Sequence, residues 1–425
     1  MRIAITTLGC KINQYETDLM REDLMSRGNT IVPFDAEADV YVVNTCTVTA
    51  KSDYQCRQAI RSAARRNKDA KVVVTGCYAS TRPEEIRNIS GVDLVIGNAD
   101  KAAIPDRIMK TALVPGQAVR STMASSSNAL NGRTRGFLKI QDGCNNRCSY
   151  CIVPMARGAS RSVDPGHVMD EFKRMVHAGC PEIVLSGIHI GTYGADIGND
   201  PDLTGLLGTL LKNRRGSRLR LSSIEPKEIT DGIIDLMGHG LCRHLHIPLQ
   251  SGDDVILASM KRDYTAGFYR DLLAHVAQKV PGIALGADVI VGYPGEGDRE
   301  FQNTMDLVQK SPLTHLHVFS YSPRPGTPAA IMEAQVSELV KKERSDALRK
   351  LGRKKNFAFR KECLGSTLNV VVEDKIDAIT GLYTGLTDNY IRVCISGAKE
   401  RHIGTNILVR ITMVKEDVTS AEIYN

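Results

Sequence analysis

Apolar residues recur along this chain with three different patterns. In the first stretch, short continuous apolar runs at Arg2–Thr7, Asp39–Asn44, Lys71–Thr75 and Val92–Ile96 read as buried strands. Between them, Glu16–Arg27 and Tyr54–Arg66 place apolar residues three and four apart, the spacing of amphipathic helices. Strands alternating with helices predict a parallel sheet covered on both faces, a doubly wound α/β domain over residues 1–124. The polar stretch Ser121–Gly132, with its SSSN and NG, reads as a linker.

A second strand–helix series fills residues 133–334. Its expected strands are Gly136–Gln141, Glu182–Ser186, Arg218–Ser223, His244–Pro248, Ala284–Val291 and His315–Ser320. Pro165–Ala178, Leu203–Lys212 and Tyr269–Lys279 are helical patterns between them. Six units are too few for a closed eight-stranded barrel, so a partial (β/α)6 barrel is expected. Gln335–Glu362 reads as one charged helix. From Cys363 to residue 425 the pattern switches to short strands, Thr367–Glu373, Gly381–Thr387, Tyr390–Cys394 and Asn406–Val414, separated by turn residues. A small antiparallel β-barrel of the OB-like type fits that rhythm.

Composition narrows the class. The chain has 425 residues, 42% hydrophobic and 24% charged, as a globular protein of several domains has. No apolar run approaches the roughly 20 residues that span a bilayer. The opening MRIAITTLGC reads as a strand rather than a secretory signal, so a cytoplasmic location without membrane attachment is expected. The net charge of +7 permits an anionic partner, and the helix 335–362 alone carries ten Lys/Arg against four Asp/Glu. Eleven cysteines in a reducing compartment point to metal binding or catalysis rather than to disulfides.

Their placement is specific. Cys144, Cys148 and Cys151 have C-x3-C-x2-C spacing just after the first strand of the second series. Three thiolates so close can hold one iron–sulfur cluster and leave one iron open to a chelating molecule. A zinc site is the alternative, and it usually asks for a fourth Cys or His nearby. Cys10, Cys46 and Cys77 are distant in sequence, yet each follows an apolar strand. Parallel strands end along one sheet edge, where three loops can bring three thiols together. Ordinary buried cysteines are the alternative there. Cys56, Cys180, Cys242, Cys363 and Cys394 are scattered and read as core or surface residues.

The first triad, with Tyr150 before its last cysteine, resembles the signature of the radical SAM superfamily. The longer string QDGCNNRCSYCIVPMARG is similar to the methylthiotransferase branch of that superfamily. So are VLSGIHIG, SSIEP, HIPLQSG, DVIVGYPGE and FSYSPRPGTPAA, and the match runs the length of the chain. The resemblance implies two 4Fe-4S clusters, one on Cys144, Cys148 and Cys151 and an auxiliary one on Cys10, Cys46 and Cys77. It implies S-adenosylmethionine as cofactor, met by Tyr150, by Ser186 and Gly187, by Ser223 and Glu225, by Gln250, and by Ile290 and Gly292. Strand-end packing is the alternative role for those residues. The implied chemistry is cleavage of the cofactor to a 5′-deoxyadenosyl radical, removal of hydrogen from C2 of an adenine, and delivery of a methylated sulfur from the auxiliary cluster.

TLGCKINQYET, NTCTVT and VTGCYAS resemble the branch that acts on N6-threonylcarbamoyladenosine beside the anticodon. Lys11, Val48 and Thr49 carry that distinction, and Lys11 or Arg157 is the expected partner of the threonyl carboxylate. Arg161 is a further candidate for a substrate anion. Methylthiolation of isopentenyladenosine or of a protein residue shares every cluster ligand, and a non-catalytic RNA-binding or regulatory iron–sulfur protein is the reading from another class. The C-terminal barrel resembles a TRAM domain, a module associated with RNA binding. It is acidic overall, with six Lys/Arg and eight Asp/Glu. Transfer RNA is therefore expected on Arg57, Arg61 and Arg65 of an N-terminal helix, on Lys350, Arg353, Lys354 and Lys355 of the long helix, and on Lys399 and Arg401. A solvated helix face is the alternative for each stripe. An electron donor completes the partners, with the chain acting as a monomer.

Overall fold

A computed structural model describes residues 1–112, 133–198 and 200–424. The expected linker Ser121–Gly132 and the expected boundary at residue 124 lie outside the described residues. Two compact units result. One joins the N-terminal residues to Asp142–Ser160 and Ser322–Ala330, and the other contains Arg161–Tyr321, the strand before residue 142 and everything from Ile331.

The first unit is built on a five-stranded parallel sheet: β1 Arg2–Thr7, β2 Thr30–Val32, β3 Val40–Thr45, β4 Lys71–Gly76 and β5 Leu94–Ile96. Their order is β2-β1-β3-β4-β5. Alternate residues along each strand serve opposite faces. Ala4, Tyr41, Val43, Val72 and Val74 pack with Cys56, Ile60 and Ala63 of α2 (Ala50–Arg66). Ile3, Ile5, Val40, Val42 and Val73 pack with Met20 and Leu24 of α1 (Lys11–Ser26) and with Ile104 and Ile108. Because both faces are covered, these strands read as continuous apolar runs. The short edge strand β2 was missed by the sequence reading because TIV, bounded by Asn29 and Pro33, is too brief to show a period.

The second unit holds six parallel strands in sequential order: β6 Gly136–Lys139, β7 Glu182–Ser186, β8 Arg218–Leu221, β9 His244–His246, β10 Ala284–Val291 and β11 His315–Ser320. β6 to β8 and β9 to β11 form two ladders, joined by parallel bridges such as Ser223 to His246. Helices Pro165–His177, Leu203–Lys212, Ala266–Lys279 and Asp298–Lys310 lie between strands, giving the partial barrel that the sequence predicts. The long helix spans Glu338–Glu362, with Ser337 as its N-cap.

The chain ends in a closed five-stranded barrel: β12 Thr367–Ile376, β13 Tyr383–Thr387, β14 Arg392–Ser396, β15 Asn406–Val414 and β16 Thr419–Ile423, ordered β12-β13-β14-β16-β15. One pair, β14 with β16, is parallel, so the barrel is not wholly antiparallel. The sequence reading missed β16 because TSAEI is short and half polar.

This barrel is held on β7 and β8 by a buried ionic network. Glu182 accepts from Arg218 Nε at 2.7 Å and from Arg220 Nε and Nη2 at 2.9 Å each. The same guanidiniums donate to the carbonyls of Asn369, Leu386, Thr387 and Asp388 at 2.6–3.1 Å. Burial alone would push the Glu182 carboxyl up, but Arg220 and Arg218 outweigh it and hold the pKa well below the usual range. The C-terminal ends of the same strands are left for the cofactor residues.

Candidate cluster and cofactor sites

Both cysteine triads belong to the first unit. Register brings Cys46 and Cys77 together: Asn44 pairs with Thr75 and Thr45 with Gly76, so the next residues out of β3 and β4 are the two cysteines. Cys10 arrives from β1 through Gly9, whose φ is +116°. A side chain on Gly9 would put its Cβ 2.8 Å from Cys46 Cβ and 3.2 Å from Cys46 Sγ. Gly76, at φ +102°, has the Thr45 carbonyl where a Cβ would stand, 2.3 Å away. Both glycines are thus demanded by close approach around the thiols.

Burial, with smaller contributions from charge on Cys77 and Cys10, raises the Cys46 thiol to about 11. That mutual repulsion is the electrostatic sign of three converging sulfurs, and iron cations between them would relieve it. Asn98 Nδ2 lies 3.6 Å from Cys77 Sγ as a donor to it. Cys56 stands behind Cys46, accepting from its N–H at 3.4 Å and donating to its carbonyl at 3.3 Å. Burial lifts the Cys56 thiol to about 12, so it stays a protonated support. The other four scattered cysteines are buried as well.

The second triad occupies the loop 144–151. Cys151 N–H donates to the Cys148 carbonyl at 3.1 Å, closing the C-x2-C turn, and Asn146 N–H donates to Cys144 Sγ at 3.4 Å. Gly143, at φ +73°, passes so near Ala159 that a Cβ would meet its carbonyl at 1.9 Å. A single zinc ion with Zn–S bonds of about 2.3 Å gathers its thiolates to about 3.8 Å of one another. Among the described residues, sets of three donor atoms within 4.8 Å occur on His244, His246 and His315 and on His246, Asp288 and His317, not in either cysteine triad. The wider cysteine spacing suits a four-iron cube better than one ion.

A buried network that the sequence reading missed surrounds the auxiliary triad. Asn13 donates to the Leu8 and Thr45 carbonyls at 2.9 and 3.0 Å, and Asn44 donates to the Asn13 carbonyl at 2.9 Å. Arg157 is the cation of this group, 4% exposed. It donates to Glu16 at 3.0 Å, Asp142 at 2.9 Å and Asn13 Oδ1 at 2.5 Å. Burial opposes its charge, but Glu16, Cys77 and Asp142 prevail and raise its pKa. The expectation that Arg157 meets a substrate carboxylate is therefore corrected: its two Nη groups donate to Glu16, Asp142 and the Asn13 amide inside the unit. Lys101 also pairs with Glu16. Nearby, buried Asp53 takes Thr47 at 2.6 Å and both Arg82 and Arg324 at 2.7 Å, and Arg324 also donates to the Thr47 carbonyl at 3.1 Å. The loop after Cys46 is thereby pinned to the FSYSPRPGTPAA segment. Lys11 is half-buried, Val48 exposed, and Thr49 caps α2 by accepting from Ser52 N–H at 3.1 Å. The asparagines of GCKIN and VVNTC were visible as motif letters, but nothing in their spacing announced a network.

In the second unit, the named cofactor residues cluster at the strand C-termini. Ser186 closes β7, and Gln141 Oε1 accepts from Ile188 and His189 N–H at 2.9 and 2.8 Å, fixing the turn through Gly187. A Cβ on Gly187 would strike Ile190 at 2.6 Å. Ser223 is exposed. Glu225 pairs with Arg262, and burial raises its pKa despite that partner. Arg262 lies 5.0 Å over the Tyr264 ring and was not anticipated. Gln250 holds a left-handed φ of +65°, accepting from Ile290 N–H at 2.9 Å, so this strand end is one of the places where the backbone carries strain. Gly292 N–H donates to Glu296 at 2.7 Å, and Glu296 is tied to Arg344 of the long helix at 2.8 Å. Tyr150 is half-buried in the cysteine loop.

The basic stripes divide. Arg61 and Arg65 are exposed, whereas Arg57 donates to Tyr78 at 2.9 Å and pairs with Glu85 at 3.2 Å. Lys350, Arg353 and Lys354 are exposed, but Lys355 donates to the Ser311 and Gln309 carbonyls at 2.7 and 3.2 Å. Lys355 closes a helix end and is corrected to a structural role. Lys399 and Arg401 are exposed, and Arg161 is exposed also. No helix among the described residues is long and apolar enough to cross a membrane.

Comparison with known proteins agrees with this geometry. Residues 2–97 match the uncharacterized protein family UPF0004, and residues 138–308 match the Radical SAM superfamily. The threonylcarbamoyladenosine tRNA methylthiotransferase MtaB of Bacillus subtilis is 41% identical, covering 96% of this chain and 93% of its own. Its Thermotoga maritima counterpart is 36% identical over 98% and 95%. A tRNA-2-methylthio-N(6)-dimethylallyladenosine synthase of Ehrlichia canis is 32% identical over 92% of each. Among solved structures, the radical S-adenosylmethionine methyltransferase TsrM of Kitasatospora setae superposes with TM-score 0.59 at 17% identity, covering 78% and 75%, a likeness of fold.

Proposed function

The chain belongs to the radical SAM methylthiotransferases of transfer RNA, and from that premise we propose that it adds a methylthio group to C2 of N6-threonylcarbamoyladenosine. It uses S-adenosylmethionine and 4Fe-4S clusters. The observation that carries the reading is the pair of cysteine triads, each with three thiols, inside one compact unit. Clusters held there would supply one-electron reduction of the cofactor and a source of sulfur for the base.

The protein's own residues hold and shield. Cys144, Cys148 and Cys151 ligate the cluster that chelates the cofactor, and Cys10, Cys46 and Cys77 ligate the auxiliary one. Gly9 and Gly76 keep the sulfurs close, while Asn13, Asn44 and Arg157 fix the loops that carry them. Ser186, Gly187, Ser223, Glu225, Gln250, Ile290 and Gly292 would hold the cofactor through its amino, ribose and adenine groups, and Tyr150 would contribute from the cysteine loop. Lys11, next to Cys10, is the cation for the threonyl carboxylate, since Arg157 is committed elsewhere. An isopentenyl group would need apolar neighbours instead. Phosphates of the anticodon arm meet Arg61, Arg65, Lys350, Arg353, Lys354, Lys399 and Arg401. The target base is single-stranded and turns into the site without opening a duplex. The enzyme acts in the cytoplasm as a monomer served by a one-electron donor.

Anaerobic reconstitution tests the two-cluster basis: about eight irons per chain, two clusters of the four-iron type, with 5′-deoxyadenosine formed on reduction. Four irons after full reconstitution would remove the auxiliary cluster from the account.

A further inference from the structure

The floor of the partial barrel carries a histidine group that the methylthiolation chemistry does not use. His244 and His246 alternate with Leu245 along β9, so both imidazoles point to one face. His315 and His317 do the same on β11, with β10 between the two strands. In register, Gly286 of β10 stands between His246 and His315, and Asp288 pairs with His317. The glycine decides what happens there. A Cβ on Gly286 would lie 2.1 Å from His315 Nε2 and 2.7 Å from His246 Nδ1. Two imidazole nitrogens from different strands therefore converge on the space that the missing side chain leaves.

Their hydrogen bonding suits ligands. His246 Nε2 sits 2.8 Å from Asp288 Oδ1. An ionised carboxylate can only accept, so it keeps the proton on Nε2 and leaves a lone pair on Nδ1, the nitrogen facing Gly286. A carboxylate on the far nitrogen is the usual outer partner of a metal-bound histidine. His315 Nδ1 lies 3.1 Å from Thr314 Oγ1, while its Nε2 is buried without a hydrogen-bond partner among the described residues. His244 stacks on His315 with ring centroids 5.5 Å apart, and one nitrogen each of His244, His246 and His315 lies within 4.8 Å of the others.

We propose that His244, His246 and His315 bind one divalent transition-metal ion of the zinc class over Gly286, with Asp288 orienting His246. Three neutral imidazoles without a thiolate or a carboxylate ligand select zinc, nickel or copper over magnesium or calcium, and a four-coordinate zinc site with three protein ligands keeps its last position for water. Nitrogens bound at about 2.0–2.1 Å stand about 3.3 Å apart, so side-chain rotation must close the present spacing by an ångström or so. The alternative is a neutral histidine stack that fills the floor as core. It accounts for the stacking of Tyr390 on His244 at 4.1 Å, but not for a buried Nε2 left unbonded over a glycine. The access route is a second group, His246, Asp288 and His317, which shares His246, and His317 is 54% exposed. Because Tyr390 comes from the C-terminal barrel and covers both His244 and His315, an ion there would brace that barrel from beneath.

The experiment uses the full chain with both cysteine triads filled by reconstitution, so that zinc cannot occupy them. Zinc chloride is titrated against a chromophoric chelator of known affinity, alongside the His246→Ala, His315→Gln, Gly286→Ala and His239→Ala chains. The expected result is one zinc per wild-type chain with sub-micromolar affinity and a zinc-dependent rise in melting temperature. His246→Ala, His315→Gln and Gly286→Ala should each weaken binding at least 100-fold at unchanged iron content, while His239→Ala, on the surface, binds as wild type. His315→Gln keeps the shape and serves if the alanine or glycine changes impair folding. Cobalt(II) in the same site should show tetrahedral ligand-field bands without thiolate charge transfer. No zinc at micromolar concentration in the wild type, unchanged affinity in His315→Gln, or a thiolate band with cobalt would each overturn the proposal. None of these readouts depends on methylthiolation.

Discussion

Replacing Arg157 by Met tests how the protein holds its two cysteine segments together. The guanidinium follows the C-x3-C-x2-C loop and donates to Asn13 and Glu16, which sit just after Cys10. Its removal leaves Asp142 and Glu16 short of a counter-charge in a nearly dry place, and breaking a buried pair costs about 3–5 kcal/mol. Glu16 keeps Lys101, and the Asp142 side chain retains 15% exposure, so the lower end, about 3 kcal/mol, is the sound figure here. For a unit of this size that is a fall in melting temperature of about 6–12 °C. Catalysis should suffer more than stability suggests, because a displacement of about 1 Å at a reacting centre costs on the order of 100-fold. The assay is the ratio of methylthio product to 5′-deoxyadenosine at matched iron content. Arg157→Met should lower that ratio at least tenfold. Arg157→Lys, a point charge without the fork, should recover stability better than coupling. A variant with wild-type stability and wild-type ratio would refute the claim that Arg157 positions the loops.

Three further outcomes follow from the geometry. Cys148→Ala should abolish cleavage of S-adenosylmethionine, whereas Cys46→Ala should keep reductive cleavage and lose sulfur insertion, both read by chromatography of the reaction mixture. Removing Lys350, Arg353 and Lys354 together should flatten the salt dependence of transfer-RNA binding by about 2–3 in log–log slope, while Lys355→Ala, whose ammonium closes a helix end, should leave the slope alone and lower stability. Glu182→Gln strips the carboxylate that Arg218 and Arg220 share and should cost about 3–5 kcal/mol, with the C-terminal barrel showing faster hydrogen exchange first.

Much of this protein was legible because its chemistry is local or periodic. The strands Arg2–Thr7, Glu182–Ser186, Ala284–Val291, His315–Ser320 and Asn406–Val414 stand where the apolar pattern put them. Continuous apolar runs bounded by Gly and Cys leave few alternatives for a sheet covered on both faces. Cys10, Cys46 and Cys77 could be grouped because a parallel sheet aligns strand ends whatever their distance in sequence. What was not legible depends on partners that only folding supplies. Arg57, Arg157 and Lys355 look like any basic residues in sequence, and packing turned each into an internal donor. Asp53 and Arg324 are far apart in the chain and meet at 2.7 Å. The strands Thr30–Val32 and Thr419–Ile423 are too short for a period to register. The histidines of β9 and β11 were quoted within motifs, but their convergence needed the register across Gly286.

The central claim is the substrate, and one competition decides it. Reconstituted enzyme with reductant and S-adenosylmethionine is offered equal amounts of two anticodon stem-loops, one bearing N6-threonylcarbamoyladenosine and one bearing isopentenyladenosine. Nucleoside mass spectrometry should find the methylthio group on the threonylcarbamoyl substrate by at least tenfold, and Lys11→Ala should erode that preference. A methylthio product formed chiefly on the isopentenyl stem-loop would contradict the assignment.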